Sequence, residues 1–221
     1  MSLSVVIPTL NAARHLPGAV ASLGGADEVI VADGGSGDGT PDLARDLGLP
    51  VVVAERGRGT QLAAGAAAAS HPWLLFLHAD TRLAADWRSE AEAFMADRHN
   101  ERRAAVFRFA LDSTAWQARA LEALVEWRTR WLGLPYGDQG LLISRSHYRE
   151  IGGYRPLPLM EDVDLVRRIG RGGLSVLKTQ AVTSAERWRR DGWLRRSARN
   201  LLCLGLYFAG LSPRTIQRLY G

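Results

Sequence analysis

Strand and helix patterns alternate four times within the first 77 residues, and this alternation constrains the fold more tightly than any single motif. Residues 3–7 are rich in branched side chains and run into Pro8, which reads as a buried parallel strand. Residues 11–23 carry Leu16, Val20 and Leu23 on one helical face. Residues 28–32 and 50–54 read as the second and third strands, with a helix from Asp38 to about Leu47 between them and Pro41 in its first turn. An alanine-rich helix at 59–69 leads to a fourth strand at 73–77. Short βαβ units of this kind predict an α/β fold whose central, mostly parallel sheet is flanked by helices.

The second half is less regular. Strands are expected at 106–111, 140–144, 174–177 and 181–185, and helices at 116–131, 146–151, 161–170 and 193–211. No low-complexity linker or internal repeat interrupts the chain. The division expected is one domain over 1–190, with a nucleotide-type half at 1–100 and a mixed half at 101–190, followed by a C-terminal helical extension at 191–221.

Ligands of open α/β sheets gather at the carboxyl ends of the strands. The fourth strand ends in Leu77-His78-Ala79-Asp80-Thr81-Arg82-Leu83, which delivers an imidazole and a carboxylate to that edge. Carboxylate oxygen suits Mg2+ or Mn2+, and imidazole suits the softer end of that range. The residues alone fit a second reading equally well, in which Asp80 caps a helix over about 84–96.

Four further stations carry chemistry. Asp33 ends the second strand and opens Gly34-Gly35-Ser36-Gly37-Asp38-Gly39-Thr40, where glycines let a ligand approach the backbone and a carboxylate can accept from a base or from sugar hydroxyls. The same turn also reads as a glycine-rich loop with helix-capping aspartates. It lacks the Gly-x-Gly-x-x-Gly spacing of a nicotinamide site, and no Walker A sequence occurs in the chain. Arg56-Gly57-Arg58-Gly59-Thr60-Gln61 places two arginines at a helix N-terminus, a natural anion site. Tyr136-Gly137-Asp138-Gln139-Gly140 offers Asp138 and Gln139 to sugar hydroxyls, or forms a tight turn. Met160-Glu161-Asp162-Val163-Asp164 puts three carboxylates in one helical turn, which suits the helix dipole and also supplies a general base. Arg187, Arg189 and Arg190, with Arg195 and Arg196, form a basic stretch suited to a diphosphate, a membrane surface or plain solvation.

Charge narrows the partners. The net charge is +5, and every basic residue except Lys178 is arginine. No nucleic-acid motif accompanies this excess, so nucleic acid is not an expected partner. Cys203 stands alone, which rules out an intrachain disulfide and fits a reducing compartment. No signal-peptide pattern opens the sequence, and the longest apolar run, 201–211, is too short to span a bilayer.

Taken in order, these stations resemble the family 2 glycosyltransferases, which have the GT-A fold. The matching residues are Ser4-Val5-Val6-Ile7-Pro8-Thr9-Leu10-Asn11, Asp33 through Thr40, His78-Ala79-Asp80, Gly137-Asp138-Gln139-Gly140 and Glu161-Asp162, so the likeness extends over roughly residues 3–190. The segments 56–61 and 77–81 are similar to a small bacterial subgroup labelled arsenosugar-biosynthesis glycosyltransferases. The resemblance implies inverting, metal-dependent transfer of a sugar from a nucleotide diphosphate donor to a hydroxyl acceptor, either a small molecule or lipid-linked. It implies Pro8 and Asp33 at the nucleoside, Arg56, Arg58 and Gln61 near base and diphosphate, and Asp80 holding Mn2+ or Mg2+. Asp162 falls at the catalytic base with Glu161 beside it, and Asp138 and Gln139 fall at the acceptor. His78 replaces the first aspartate of the family's Asp-x-Asp motif, which leaves it between metal ligand and ribose contact. The Arg187-Trp188 pair lacks the glutamine of the processive Gln-x-x-Arg-Trp motif, which argues against a polysaccharide synthase. A nucleotidyltransferase and a catalytically silent nucleotide-sugar-binding protein are the competing readings. The expected location is cytoplasmic, with the C-terminal helix either touching the inner membrane face through Arg195, Arg196 and Arg199 or packing against the core or against a second subunit of a homodimer.

Overall fold

Eight strands join one sheet in the order β3-β2-β1-β4-β7-β6-β8-β5. They are β1 (Leu3–Thr9), β2 (Glu28–Asp33), β3 (Val51–Val53), β4 (Trp73–Phe76), β5 (Thr81–Leu83), β6 (Ala104–Leu111), β7 (Leu141–Ser144) and β8 (Leu174–Thr183). The computed structural model describes residues 1–220, with side chains described as far as Arg218. The four amino-terminal strands are parallel, as the alternation predicts. β7 runs antiparallel to β4 and to β6, β8 is parallel to β6, and β5 closes the far edge antiparallel to β8. This half of the sheet is mixed.

Side chains on β1 and β4 alternate between two cores, because successive residues of a strand point to opposite faces. Leu3, Val5 and Ile7 join Trp73, Leu75 and Leu77 on one face, covered by α1 (Leu16–Ala21) and α4 (Trp87–Ala96). Val6, Leu74 and Phe76 face the other way, against α3 (Arg58–Ala68), α6 (Arg145–Glu150) and α7 (Glu161–Ile169). Burying one such side chain stabilises the fold by about 1.5–3 kcal/mol. A smaller cluster, with Phe109, Ala118, Val125 and Trp188, lies under α5 (Trp116–Leu132) and α8 (Glu186–Asp191). The remaining helices are α2 (Thr40–Asp46), α9 (Trp193–Phe208) and α10 (Pro213–Tyr220).

Several boundaries differ from the sequence reading. β1 continues through Pro8 to Thr9, in register with Ala32 and Asp33. α1 starts only at Leu16, because residues 11–13 are tied to the next loop. Asp38 lies one residue before the N-cap of α2, and its Oδ1 accepts from the Thr40 N–H. The two carboxy-terminal strands expected separately are one strand, β8. Most consequentially, a strand and not a helix follows Asp80. The helix begins at Trp87 with Asp86 at its N-cap, so the helix-capping reading of Asp80 is excluded.

The parallel sheet also dictates one glycine. Gly65 of α3 lies directly over β1, where a Cβ would stand 2.3 Å from Val6 Cγ1. A β-branched neighbour in a packed strand has little rotamer freedom to move aside. Gly65→Ala is expected to lose about 1–3 kcal/mol to overpacking, against roughly 1 kcal/mol regained in helix propensity. A fall in the urea midpoint at unchanged slope checks this, and an unchanged or raised midpoint refutes it.

Candidate active site

Two loops at the carboxyl edge of the sheet are stitched together before any ligand arrives. Asn11 Oδ1 accepts from the Gly37 N–H at 2.9 Å, and the Ala13 N–H donates to Asp38 Oδ2 at 3.0 Å. Asp33, 1% exposed, organises this edge. Its Oδ1 accepts from Thr9 Oγ1 and Ser36 Oγ, and its Oδ2 from the N–H groups of Gly35 and Ser36, at 2.6–2.9 Å. Burial pushes its carboxyl up, but the bonds from Ser36, Thr9 and Gly35 outweigh this and hold it below the ordinary value. With four bonds already accepted, Asp33 shapes the loop at the position where the nucleoside contact is expected from sequence.

Gln61 is likewise engaged by the framework. It is buried, and its amide donates to the Thr9 and Ala32 carbonyls, bracing the ends of β1 and β2. Gln139 is also buried, and is held by Thr129 Oγ1 and the Phe107 carbonyl. Neither glutamine lines the cavity described next, and neither do Pro8, Asp33, exposed Arg56 or Glu161.

That cavity, of about 260 Å³, brings together Arg58, His78, Asp80, Asp138 and Asp162. Their convergence rests on the end of β8. The Ser184 N–H donates to the Asp80 carbonyl at 3.0 Å, and Thr183 Oγ1 lies 2.8 Å from Thr81 Oγ1. Thr183 Oγ1 also reaches the Asp138 carbonyl at 3.2 Å. Asp162 joins from α7, where its Oδ2 accepts from the Gly137 N–H at 2.8 Å. Gly137 is required here, since a Cβ would stand 2.5 Å from His78 Nε2. Met160, just before the pair, has φ of 64°, a left-handed conformation costly for a non-glycine residue, and it too lines the cavity.

The electrostatics set His78 and Asp138 apart. Burial and the nearby Arg58 charge push the His78 imidazole down to about 4, against the pull of Asp80 and Asp162, so the ring is neutral at pH 7. Burial raises the Asp138 carboxyl to about 6; Arg128 opposes this, while Asp162 and Asp80 add to it. Asp138 Oδ1 is buried with no hydrogen-bond partner. Asp80 stands 3.9 Å from Arg187 Nη2 of α8. Glu161, 1% exposed, lies behind the cavity and meets Arg58 Nη1 at 3.4 Å, so it positions Arg58.

Burial raises the Glu161 carboxyl to about 7, with Arg58 opposing and Asp162 reinforcing. The fold therefore favours its protonated form. That contribution to stability is complete below the ordinary value of 4.5 and is lost as pH rises through 7. Relative to the parent, Glu161→Gln is expected to gain stability steadily from pH 4.5 to 7, on the order of 2 kcal/mol. Thermal unfolding of both proteins across that range is the measurement, and a constant difference between them would refute the assignment.

A second, polar cleft of about 460 Å³ adjoins through Asp80. It is lined by Arg14, His15, Arg82 and Arg189, with Asp112, Ser184 and Glu186. Arg14 pairs with Glu186 at 2.5 Å and Arg189 with Asp112 at 3.5 Å. Sequence reasoning did not single out Arg14, His15 and Arg82, because nothing in their local pattern announces a shared cleft. Arg187 was legible as part of the basic stretch, but not as the partner of Asp80. The segment from residue 191, read as an extension, supplies a wall: Arg196, Ser197, Asn200, Leu201, Cys203 and Leu204 of α9 line the first cavity.

Donor chemistry fits a hard divalent cation. No cluster of three or more His, Cys, Asp or Glu side chains forms a ready metal cage among the described residues. A cation that brings diphosphate oxygens with it needs only one or two carboxylates. Asp80 and the unpartnered Asp138 Oδ1 meet that requirement.

Comparison with known proteins gives the family and the fold. The model of the family described as glycosyl transferase family 2 matches residues 4–138. PGL/p-HBAD biosynthesis glycosyltransferases of Mycobacterium bovis and Mycobacterium tuberculosis are 35% identical over 106 residues, covering 42% of this chain and 41% of theirs. The chain thus spans less than half the length of these curated relatives. Staphylococcus aureus TarS superposes with a TM-score of 0.65 at 18% identity, over 98% of this chain and 41% of that one. Glucosyl-3-phosphoglycerate synthase from Mycobacterium tuberculosis, in complex with Mn2+, UDP and glucosyl-3-phosphoglycerate, gives 0.56 at 21% identity, over 83% and 70%. These structural likenesses establish a shared GT-A fold. With the family model matching more than half of its residues, the chain belongs to glycosyl transferase family 2.

Proposed function

We propose that this chain transfers a sugar from a nucleoside diphosphate donor to a hydroxyl acceptor, with inversion at the anomeric carbon. One observation carries the reading. Asp80 lies where an arginine-lined polar cleft meets a cavity that holds Asp138 and Asp162. The cleft suits the diphosphate, with Arg82 in its lining and Arg187 beside Asp80 as counter-charges, and with Arg14 and Arg189 able to exchange their pairing with Glu186 and Asp112 for phosphate oxygens. Asp80, with Asp138 and neutral His78 as further donors, would hold Mn2+ or Mg2+, which when bound neutralises charge developing on the leaving diphosphate. Asp162 takes the proton of the acceptor hydroxyl as that oxygen attacks the anomeric carbon. The Gly137 N–H fixes the Asp162 carboxylate for this. Arg58, held from behind by Glu161, adds positive charge at the same wall. No second carboxylic acid is required at the leaving oxygen, unlike the paired carboxylates of glycoside hydrolysis. A nucleotidyltransferase has no need of a base placed in an acceptor cavity, and that disfavours it here.

The bound Mn2+ and UDP of the mycobacterial synthase support a uridine nucleotide and a divalent ion as the first ligands to try. A thermal-shift panel of nucleoside diphosphates and their sugars, with and without Mn2+ or Mg2+, tests the reading. Saturation by the right nucleotide is expected to raise the midpoint by about 5–10 °C, and only with metal present. No response to any nucleotide under either condition would sink it.

A further inference from the structure

The chemistry above uses only one end of the cavity. Past Asp162 its walls are Leu121, Leu124, Val125 and Trp127 of α5, with Leu201 and Leu204 of α9. Its rim is apolar and open: Leu124, Trp127 and Leu201 are 47%, 53% and 53% exposed. Trp131 of α5 and Leu202 of α9, also exposed, extend the apolar surface outward. An exposed apolar patch continuous with a catalytic cavity marks a binding site. A carbohydrate acceptor fits it poorly, because each hydroxyl left unpaired against leucine weakens binding roughly five-fold or more. At the polar boundary stands Arg128, lining the cavity and stacked 3.5 Å from the centre of the Tyr136 ring. Its Nε and Nη2 are buried without hydrogen-bond partners. A guanidinium near Asp138 and an apolar wall beyond it describe an amphiphile, with an oxygen at one end and hydrocarbon at the other.

We infer that the acceptor is a hydrophobic alcohol, whose hydroxyl meets Asp162 while its apolar body lies between α5 and α9. This rests on the transfer reading above. The acceptor oxygen bonds to the anomeric carbon, the bond from that carbon to the diphosphate breaks, its electron pair leaves with the diphosphate, and the proton passes to Asp162. The hydrocarbon belongs either to a membrane lipid or to a dissolved alcohol, and the recognition chemistry is the same for both.

Calorimetric titration of the full chain with n-alkyl alcohols from butanol to decanol is the test. Affinity should tighten roughly four-fold per methylene until the channel is filled. Leu124→Glu and Leu201→Glu, both at half-exposed positions, should remove that gain while cooperative thermal unfolding persists. A flat series, or glycerol and maltose binding as tightly as decanol, overturns the inference. Chain-length-dependent binding in a protein that answers no nucleoside diphosphate removes the transfer reading and the acceptor role with it. A nucleotide response beside a flat alcohol series removes the hydrophobic acceptor alone. Co-sedimentation with phosphatidylcholine–phosphatidylglycerol vesicles assigns the alcohol to a membrane lipid; decanol binding without co-sedimentation assigns it to a dissolved one.

Discussion

Asp162→Asn is expected to lower the rate of sugar transfer roughly 10³-fold, within the range by which a positioned general base accelerates a reaction. The substitution is nearly isosteric. An asparagine oxygen can still accept from the Gly137 N–H that Asp162 Oδ2 meets at 2.8 Å, so the wall of the cavity is retained. What is lost is the ability to take a proton from the acceptor hydroxyl. The loss should therefore fall on kcat, with metal-dependent nucleotide binding kept. Single-turnover transfer and the thermal shift, measured on the same preparation, separate the two. Transfer within ten-fold of the parent would remove Asp162 as the base.

Asp80→Asn should act on the other side of the reaction. Its side chain is the carboxylate shared by the arginine-lined cleft and the cavity that holds Asp162, and it stands near Arg187. Replacing it with an amide removes the charge that holds a divalent cation against the diphosphate. The metal-dependent part of the nucleotide shift should vanish, and transfer should fall by about 10²–10³-fold, as for other losses of leaving-group or oxyanion stabilisation. The fold should survive, because β8 is held to this residue through the Asp80 carbonyl and not its side chain. A variant that keeps its Mn2+-dependent nucleotide shift would show that the cation lies elsewhere.

The two substitutions make opposite predictions for binding. Asn at 162 leaves the nucleotide response and stops the chemistry, whereas Asn at 80 weakens both. A protein that merely binds nucleotide sugars would show the second pattern without having any transfer to lose at 162.

Much of this site was legible residue by residue. His78, Asp80, Asp138, Asp162 and Arg58 were each marked by a strand end, a helix start or a glycine-flanked turn, and all five line one cavity. Asp33, Gln61 and Gln139 were equally marked, yet their polar groups serve the framework. Local sequence cannot distinguish these cases. A buried polar side chain facing backbone groups is bound by them, because leaving it unpaired costs about 1–3 kcal/mol, and which backbone it faces depends on elements far away in the chain. Gln61, for example, reaches Thr9, which is 52 positions earlier.

The sequence by itself determined the parallel half of the sheet. Short apolar runs between amphipathic helices have one good way to be buried, as neighbours in a parallel sheet, and β1 to β4 pair that way. It also determined that carboxylates would stand at the strand ends. The tertiary structure alone decided how they meet. β8, about 100 residues after β4, pairs with β5 and β6 and draws Asp80 and Asp138 together through Thr183 and Ser184. It alone turned residues 193–208 from an appendage into a wall of the cavity. Helical periodicity in α9 shows that a face must be covered, but what covers it is fixed only when α5 and α8 are packed in place.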